Sequence, residues 1–467
     1  MLEGAPIHLE TLLSDRRARP FQFKLLALLM VFMFFEGYDM QVLSFAAPVI
    51  IKAWHSNKAA FGGVFGGAMA GFMAGALVIS NLGDYFGRVK MIIGGSIVFG
   101  IFTLLSADAH DLSQLFIWRT IAGIGLGGAV PSAVALISDY WPSSARTTSV
   151  ALIFGGYTIG SALGGVIAAY LIPRYGWPSV FILGGLAPLV VTVFLLLWLP
   201  ESLWFLVRTG KRSDRVLKIV NKLQPGAAYT KAPQLLFQEP PGKGIPVSQL
   251  FENGRALMTV TLWVSCICIT MTLHFMTSWL PTVIADQGIP LSHAIITTSI
   301  LQTCGTIGGF LTGRLLDRRG VMMVAIVAAL GIPCLLLLAN FSKTEMLMML
   351  FVGGSGFAIV GSFQGLMGLS GALYPTPMRT ASAGWTLGVA RLGAIFGPTI
   401  GGVLLSFDFT PKMLFEFAVV PILVEVVAIL VIARQPSARD FLSALRANGT
   451  EPSANPAVPA EASSRHG

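Results

Sequence analysis

Apolar stretches long enough to cross a bilayer recur about twelve times, near residues 24–50, 59–81, 90–107, 113–138, 147–171, 177–199, 256–280, 292–316, 320–340, 344–372, 380–406 and 411–433. Each is close to the ~20 residues that carry a helix across the hydrocarbon core. None shows the strict apolar–polar alternation of a membrane barrel strand. In lipid every backbone N–H and C=O needs an internal partner, so such runs must be helices. The pattern predicts an all-α polytopic membrane protein with twelve transmembrane helices. The polar interruptions divide it. Residues 1–22 form a polar N-terminal segment, 23–199 a six-helix bundle, 200–255 a linker, 256–435 a second bundle, and 436–467 a tail. Within the linker, Leu206 to Leu223 is basic and reads as helical, while Pro225 to Pro246 is rich in Pro and Gly. The tail is rich in Ala, Ser and Pro and is expected to be disordered.

The two bundles repeat at one offset of 233 residues. Asp84 and Gly87 correspond to Asp317 and Gly320; Pro142, Arg146, Thr147 and Ser149 to Pro375, Arg379, Thr380 and Ser382; Gly155, Gly160 and Gly164 to Gly388, Gly393 and Gly397. One constant register over so many positions implies two similar six-helix units. Parallel repeats of this kind place a substrate site between the halves, near the bilayer midplane, opened alternately to each side.

Composition and charge sharpen this picture. Only 11% of residues are charged and the mean hydropathy is +0.74, whereas a soluble domain carries about 25% charged residues. The 52 glycines suit close helix packing in lipid. Of the Lys and Arg residues, Lys52, Lys58, Arg174, Lys343 and Lys412 lie on one side, Arg119 and Arg391 fall within spans, and the rest lie on the side of the N-terminus. That bias predicts an inner-membrane protein of bacterial type with both termini cytoplasmic. It also accounts for the net charge of +9 without a nucleic-acid partner. Residues 1–22 lack the apolar core of a signal peptide. Cys266, Cys268, Cys304 and Cys334 all sit within spans and read as packing thiols. The sequence presents no nucleophile–base constellation and no metal-ligand cluster, so neither an enzyme nor a cofactor is expected.

Candidate chemistry centres on the first span, where Glu36 and Asp39 interrupt an apolar run. A charge at the centre of a membrane helix costs roughly 2.5–3.5 kcal/mol even on the lenient insertion scale. Residues three apart share a helical face, and two ionised carboxylates that close in low dielectric repel. The pair is therefore expected to carry a proton, unless it is solvated in a vestibule or locked to a cation. The repeat isolates it, because Glu36 and Asp39 map onto Ile269 and Thr272. Conversely, Thr158 maps onto Arg391, so the second half alone carries that cation. A guanidinium keeps its charge and can hold a carboxylate through two parallel hydrogen bonds, which makes Arg391 the candidate for an anionic substrate; pairing with an acid or snorkelling to an interface is the alternative. For Arg119, coupling to Asp39 and a structural ion pair are equally open. His274, Gln302 and Gln364 are polar groups within spans, set either to line a cavity or to bond between helices. Tyr38, Phe275, Trp279 and Trp385 are candidates to stack on an aromatic ring, against packing as the alternative. Glu425, in the last span, belongs to no recognisable motif.

Several segments carry a resemblance. Ser80-Asn81-Leu82-Gly83-Asp84-Tyr85-Phe86-Gly87-Arg88-Val89-Lys90 is similar to the loop motif of the major facilitator superfamily, departing at Ser80 and Tyr85. Its second copy, Gly313 to Gly320 with Asp317 and Arg318, fits better, and Arg119-Thr120-Ile121-Ala122-Gly123-Ile124-Gly125 also matches the superfamily. Within it, Glu36-Gly37-Tyr38-Asp39, Trp198-Leu199-Pro200-Glu201-Ser202, Thr277-Ser278-Trp279-Leu280-Pro281-Thr282, and Leu373-Tyr374-Pro375 running to Arg391-Leu392-Gly393-Ala394 resemble the aromatic acid:proton symporters. Glu36 departs from the Asp usual at that place, adding a methylene. The resemblance implies gating by Asp84, Gly87, Arg88, Asp317 and Arg318, with Asp84 capping the eleventh span when the cytoplasmic side is closed.

Together these features lead to the expectation of a monomeric, proton-coupled symporter that imports a small aromatic carboxylate by alternating access. Asp39, Glu36 and Arg119 would handle the proton and Arg391 the carboxylate. The alternatives are the same machine with a sugar, organic cation or drug as cargo, and an aromatic-acid sensor in chemotaxis.

Overall fold

The structure, a computed structural model, describes residues 7–209, 213–225, 229–231, 233–236, 247–341, 344–374 and 378–435, apart from the side chains of Asn81, Asp84, Ser144, Thr147 and Thr380. Residues 436–467, read as a tail, lie outside the described residues. Six long helices form the first half: α2 (Arg19–Ala53), α3 (Lys58–Phe86), α4 (Arg88–Ser106), α5 (Leu112–Asp139), α6 (Arg146–Tyr175) and α7 (Pro178–Trp198). Six form the second: α10 (Ala256–Ala285), α11 (Leu291–Arg319), α12 (Met322–Phe341), α13 (Glu345–Ala372), α14 (Arg379–Ser406) and α15 (Pro411–Ala433). All twelve are long and apolar enough to cross a membrane. Between the halves lie the short helices α8 (Leu203–Thr209) and α9 (Ser213–Leu223).

The repeat is visible as matched close packing. A Cβ on Gly160 of α6 would fall 1.8 Å from the carbonyl oxygen of Phe34 on α2, and one on Gly393 of α14 would fall 2.2 Å from that of Ile267 on α10. Phe34 and Ile267 are themselves 233 residues apart. The same helix pair therefore approaches to backbone contact in each half, at the same register, and only glycine allows it.

Six spans lie between the N-terminus and α8, so the first residues and the connecting segment share one end of the bundle, here the linker end. There the chain adds structure that the helical periodicity did not announce. Ile7–His8 (β1) pairs in parallel with Leu235–Leu236 (β2). The helix α1 (Leu9–Ser14) buries Leu12 and Leu13 in a cluster with Val216, Ile219, Val220 and Leu223 of α9, and this cluster continues into the first half through Tyr140 and Phe205. Gln22 ties it down by donating to the carbonyls of Leu13 and Tyr140, both at 2.9 Å.

At the opposite, far end the halves meet. Lys58 Nζ lies 2.7 Å from Asp286 Oδ2. One and two turns deeper, Phe61 and Phe65 of α3 stack edge-on against Trp279 of α10. Gly62 of α3 sits against the backbone of Pro398 and Gly402 of α14. The halves are thus in contact at the far end.

Candidate transport site

The two intramembrane arginines have different surroundings. Asp39 on α2 and Arg119 on α5 are both buried. Arg119 grips the carboxylate with two hydrogen bonds, Nη1 to Oδ1 at 2.9 Å and Nη2 to Oδ2 at 2.5 Å. Thr103 of α4 donates to Asp39 Oδ1 at 3.2 Å and lies 3.1 Å from Arg119 Nη1, and the Phe181 ring of α7 lies 5.8 Å from the guanidinium carbon. A paired, hydrogen-bonded arrangement is the form in which two charges survive burial. One donor, Arg119 Nε, is buried without a partner among the described residues.

Arg391 makes no ion pair among the described residues. It stands half-buried on α14 with its guanidinium carbon 4.2 Å from the centroid of the Phe72 ring of α3, in the opposite half. Glu36, one turn before Asp39 on α2, is buried with Oε2 unpartnered. Glu36, Arg391, Tyr157 of α6 and His274 of α10 form a chain of electrostatic neighbours, Arg391 interacting with each of the other three. Gly37 brings Tyr157 there, since its missing Cβ would lie 1.9 Å from the Tyr157 carbonyl oxygen. The acid pair is therefore split. Asp39 turns into its own half, and Glu36 belongs to a polar group built by both.

The aromatic candidates are placed elsewhere. Tyr38 is buried inside the first half, between Gly164 and Gly184, and its hydroxyl donates to the Val180 carbonyl at 2.9 Å. Trp279 belongs to the far-end contact, its Nε1 donating to the Pro398 carbonyl at 2.7 Å, and Phe275 packs beside it on Gly401. In this conformation all three rings are committed to packing. Trp385 is exposed on α14, towards the linker end. Phe72 and Tyr157, which the sequence reading passed over, are the rings beside Arg391. Among many Phe and Tyr residues nothing in the pattern marks them, although Tyr157 directly precedes Thr158, the repeat partner of Arg391.

Gln302 of α11 reaches across the halves and donates to Ser161 Oγ of α6 at 3.1 Å. Gln364 of α13 lies over Gly309 of α11 and is exposed. His274 is half-buried, with Nδ1 2.9 Å from the Thr270 carbonyl oxygen. Glu425 is fully buried on α15, with neither oxygen in a hydrogen bond of ordinary geometry among the described residues and the Ser362 hydroxyl nearby.

At the linker end, Gly87 adopts φ 103°, a conformation that favours glycine, with the Glu201 carboxylate packed where a Cβ would be. Glu201 accepts from the backbone N–H of Val89 at 3.2 Å and of Ser202 at 3.0 Å, so it caps the start of α4. Arg88 pairs with Asp139 at the end of α5 and donates to the Ala135 carbonyl at 2.8 Å. Ser202 donates to Asp139 Oδ2 at 2.6 Å. Gly320 repeats the turn at φ 80°, and Asp317 and Arg318 are exposed beside it. The Asp84 side chain lies outside the described residues.

Two six-helix repeats that meet at one end and together build a polar group within the spans have the architecture of a membrane transporter. The chain belongs to the major facilitator superfamily, whose family model matches residues 29–398. It is 32% identical over 428 residues to a gallate transporter of Pseudomonas putida, covering 91% of this chain and 95% of that one. It is also 32% identical over 428 residues to the 4-hydroxybenzoate transporter PcaK of Acinetobacter baylyi, covering 90% and 93%. Among solved structures it resembles a bacterial homolog of the human lysosomal transporter Spinster in an inward-facing, occupied conformation, with TM-score 0.67, 16% identity, and 93% and 98% coverage. That likeness carries the fold alone.

Proposed function

We propose that this protein is a proton-coupled symporter that imports a small aromatic carboxylate, a hydroxybenzoate or related ring acid, across a bacterial inner membrane, with both termini cytoplasmic and the monomer as the working unit. The observation that carries the reading is Arg391: a guanidinium within a span, at the junction of the halves, beside an aromatic ring and in no ion pair among the described residues. An aromatic acid supplies what is missing, an anion for the guanidinium and a ring for the neighbouring Phe72. The names of the relatives point to the same cargo class. Glu36 is an electrostatic neighbour of Arg391, so protonating Glu36 leaves the guanidinium's charge to the substrate, and releasing that proton restores a competing anion nearby. Asp39, held by Arg119, forms the second carboxylate of the path. A cycle carrying one proton with one monoanion moves no net charge and draws only on the pH gradient; a second proton recruits the membrane potential, worth about 2.3 kcal/mol per charge per 100 mV.

Uptake of labelled aromatic acids into proteoliposomes tests this. Accumulation driven by an inward proton gradient, and abolished by a protonophore, is the expected result. Competition by sugars or organic cations, with none by any aromatic acid, would overturn the cargo assignment.

A further inference from the structure

The hydrogen bonding of His274 bears on which ring acid the site selects. The carbonyl of Thr270 can only accept, so the Nδ1 that lies 2.9 Å from it carries the hydrogen. In the neutral ring this leaves Nε2 with a lone pair and no proton. Nε2 has no hydrogen-bond partner among the described residues. The residue is half-buried and is an electrostatic neighbour of Arg391. The tautomer is held locally. Thr270 lies one turn before His274 on α10, and its hydroxyl bonds the Ala390 carbonyl at 2.7 Å, tying this turn to the helix that carries Arg391.

The two groups are opposites in hydrogen bonding. Arg391 only donates and suits a carboxylate. An imidazole nitrogen with a lone pair cannot bind a carboxylate but can receive an O–H. We propose that Nε2 of His274 accepts the ring hydroxyl of an aromatic acid whose carboxylate Arg391 holds, so that the site selects hydroxylated ring acids over their unsubstituted counterparts. This deepens the cargo reading above and rests on it. A site that offers an acceptor to a substrate hydroxyl discriminates against the analogue lacking it, because the acceptor then goes unpaired. For one half-buried acceptor the preference is about tenfold.

Binding to the purified protein decides it, with 3- and 4-hydroxybenzoate, benzoate, and 4-methoxybenzoate, which keeps the oxygen but lacks the donor. The unmodified protein should bind at least one hydroxy acid about tenfold more tightly than benzoate and 4-methoxybenzoate. His274→Phe should reduce that preference, read as the ratio of hydroxy-acid to benzoate affinity within each variant, to within about twofold, and His274→Gln, which keeps an acceptor oxygen, should retain part of it. Should His274→Phe fail to assemble, His274→Met makes the same comparison. The proposal is overturned if the unmodified protein shows no preference, if the preference survives loss of the imidazole, or if all acids weaken equally. Failure of the unmodified protein to bind any aromatic acid would instead sink the cargo reading beneath it.

Discussion

Arg119 and Arg391 are both guanidiniums within membrane spans, and the contrast between them organises the molecule. Arg119 is enclosed in one half, with both nitrogens of its fork on Asp39, Thr103 alongside and Phe181 near its face. Arg391 stands where the halves meet, on Phe72 of the other half, near a glutamate that leaves one oxygen unpartnered. A satisfied charge pair is rigid and costly to break from one side. An incompletely matched one is ready for a ligand. The neighbouring acids thus have unequal surroundings despite sitting one turn apart, Asp39 paired with Arg119 inside its own half and Glu36 near Arg391 of the other.

The largest expected effect comes from breaking the closed pair. Asp39→Asn leaves Arg119 buried with a neutral partner and should cost about 3–5 kcal/mol of stability, seen as a lower melting temperature in detergent, along with loss of accumulation. Equal stability of Asp39→Asn and the unmodified protein would show that the pair is not the structural member of the contrast. Removing both charges, as in Asp39→Leu with Arg119→Met, should recover much of the stability without recovering proton-driven uptake.

Next comes the open site. Arg391→Ala should weaken binding of the aromatic acid roughly ten- to a hundredfold, the worth of about 1.5–3 kcal/mol for hydrogen bonds to a charged group, with a melting temperature near that of the parent. Arg391→Lys should also weaken it, since an ammonium cannot reproduce the two-point fork. Titration calorimetry giving unchanged affinity for both variants would remove Arg391 from the binding role.

Glu36→Gln is expected to lower stability less than Asp39→Asn does, because it breaks no ion pair among the described residues, whereas Asp39→Asn breaks the pair with Arg119. Its signature is kinetic. Substrate should still exchange across the membrane, but an imposed proton gradient should no longer drive accumulation. Gradient-driven accumulation by this variant would assign the coupling proton to Asp39 alone.

The smallest effect concerns the far-end contact. Lys58 and Asp286 are partly exposed, with 29% and 47% of their side chains accessible, so their pair is worth about 0.2–1 kcal/mol. Lys58→Met, which removes the pair without adding repulsion, should raise the fraction of molecules open at that end by no more than about fivefold, measured by spin-label distances across the halves, and Lys58→Asp by more. The charge-swapped double variant, Lys58→Asp with Asp286→Lys, should restore the original distribution; failure to do so would make the contact incidental.

Much of this was legible along the chain, for identifiable reasons. A span must hide its backbone polar groups whatever surrounds it, so twelve apolar runs suffice to announce twelve helices. The repeat was legible because glycine at 160 and 393 answers a backbone approach that no other residue permits. Arg391 stood out because its repeat partner is Thr158. The ring candidates Tyr38 and Trp279 were not legible in their present roles. An aromatic side chain serves packing and stacking equally well, and only the Val180 and Pro398 carbonyls show which partner each polar tip has taken. Nor did the pattern reveal the pairing of β1 with β2, two residues each, joined across more than two hundred positions.

What followed from the chain alone is whatever depends on a residue and its near neighbours: spans, repeat, turn glycines, and the presence of the acids Glu36, Asp39 and Glu425 and the cations Arg119 and Arg391 within the spans. Tertiary structure decided which acid meets which cation. Glu36 and Asp39 lie on one helical face, and either might have met Arg119, 80 residues on from Asp39. The choice is made by the rotation of α2 against α4, α5 and α6, where Gly37 admits Tyr157 on one side and Thr103 supports Asp39 on the other. Helix rotation and interhelical distance arise from packing among all the spans at once, so no local pattern encodes them.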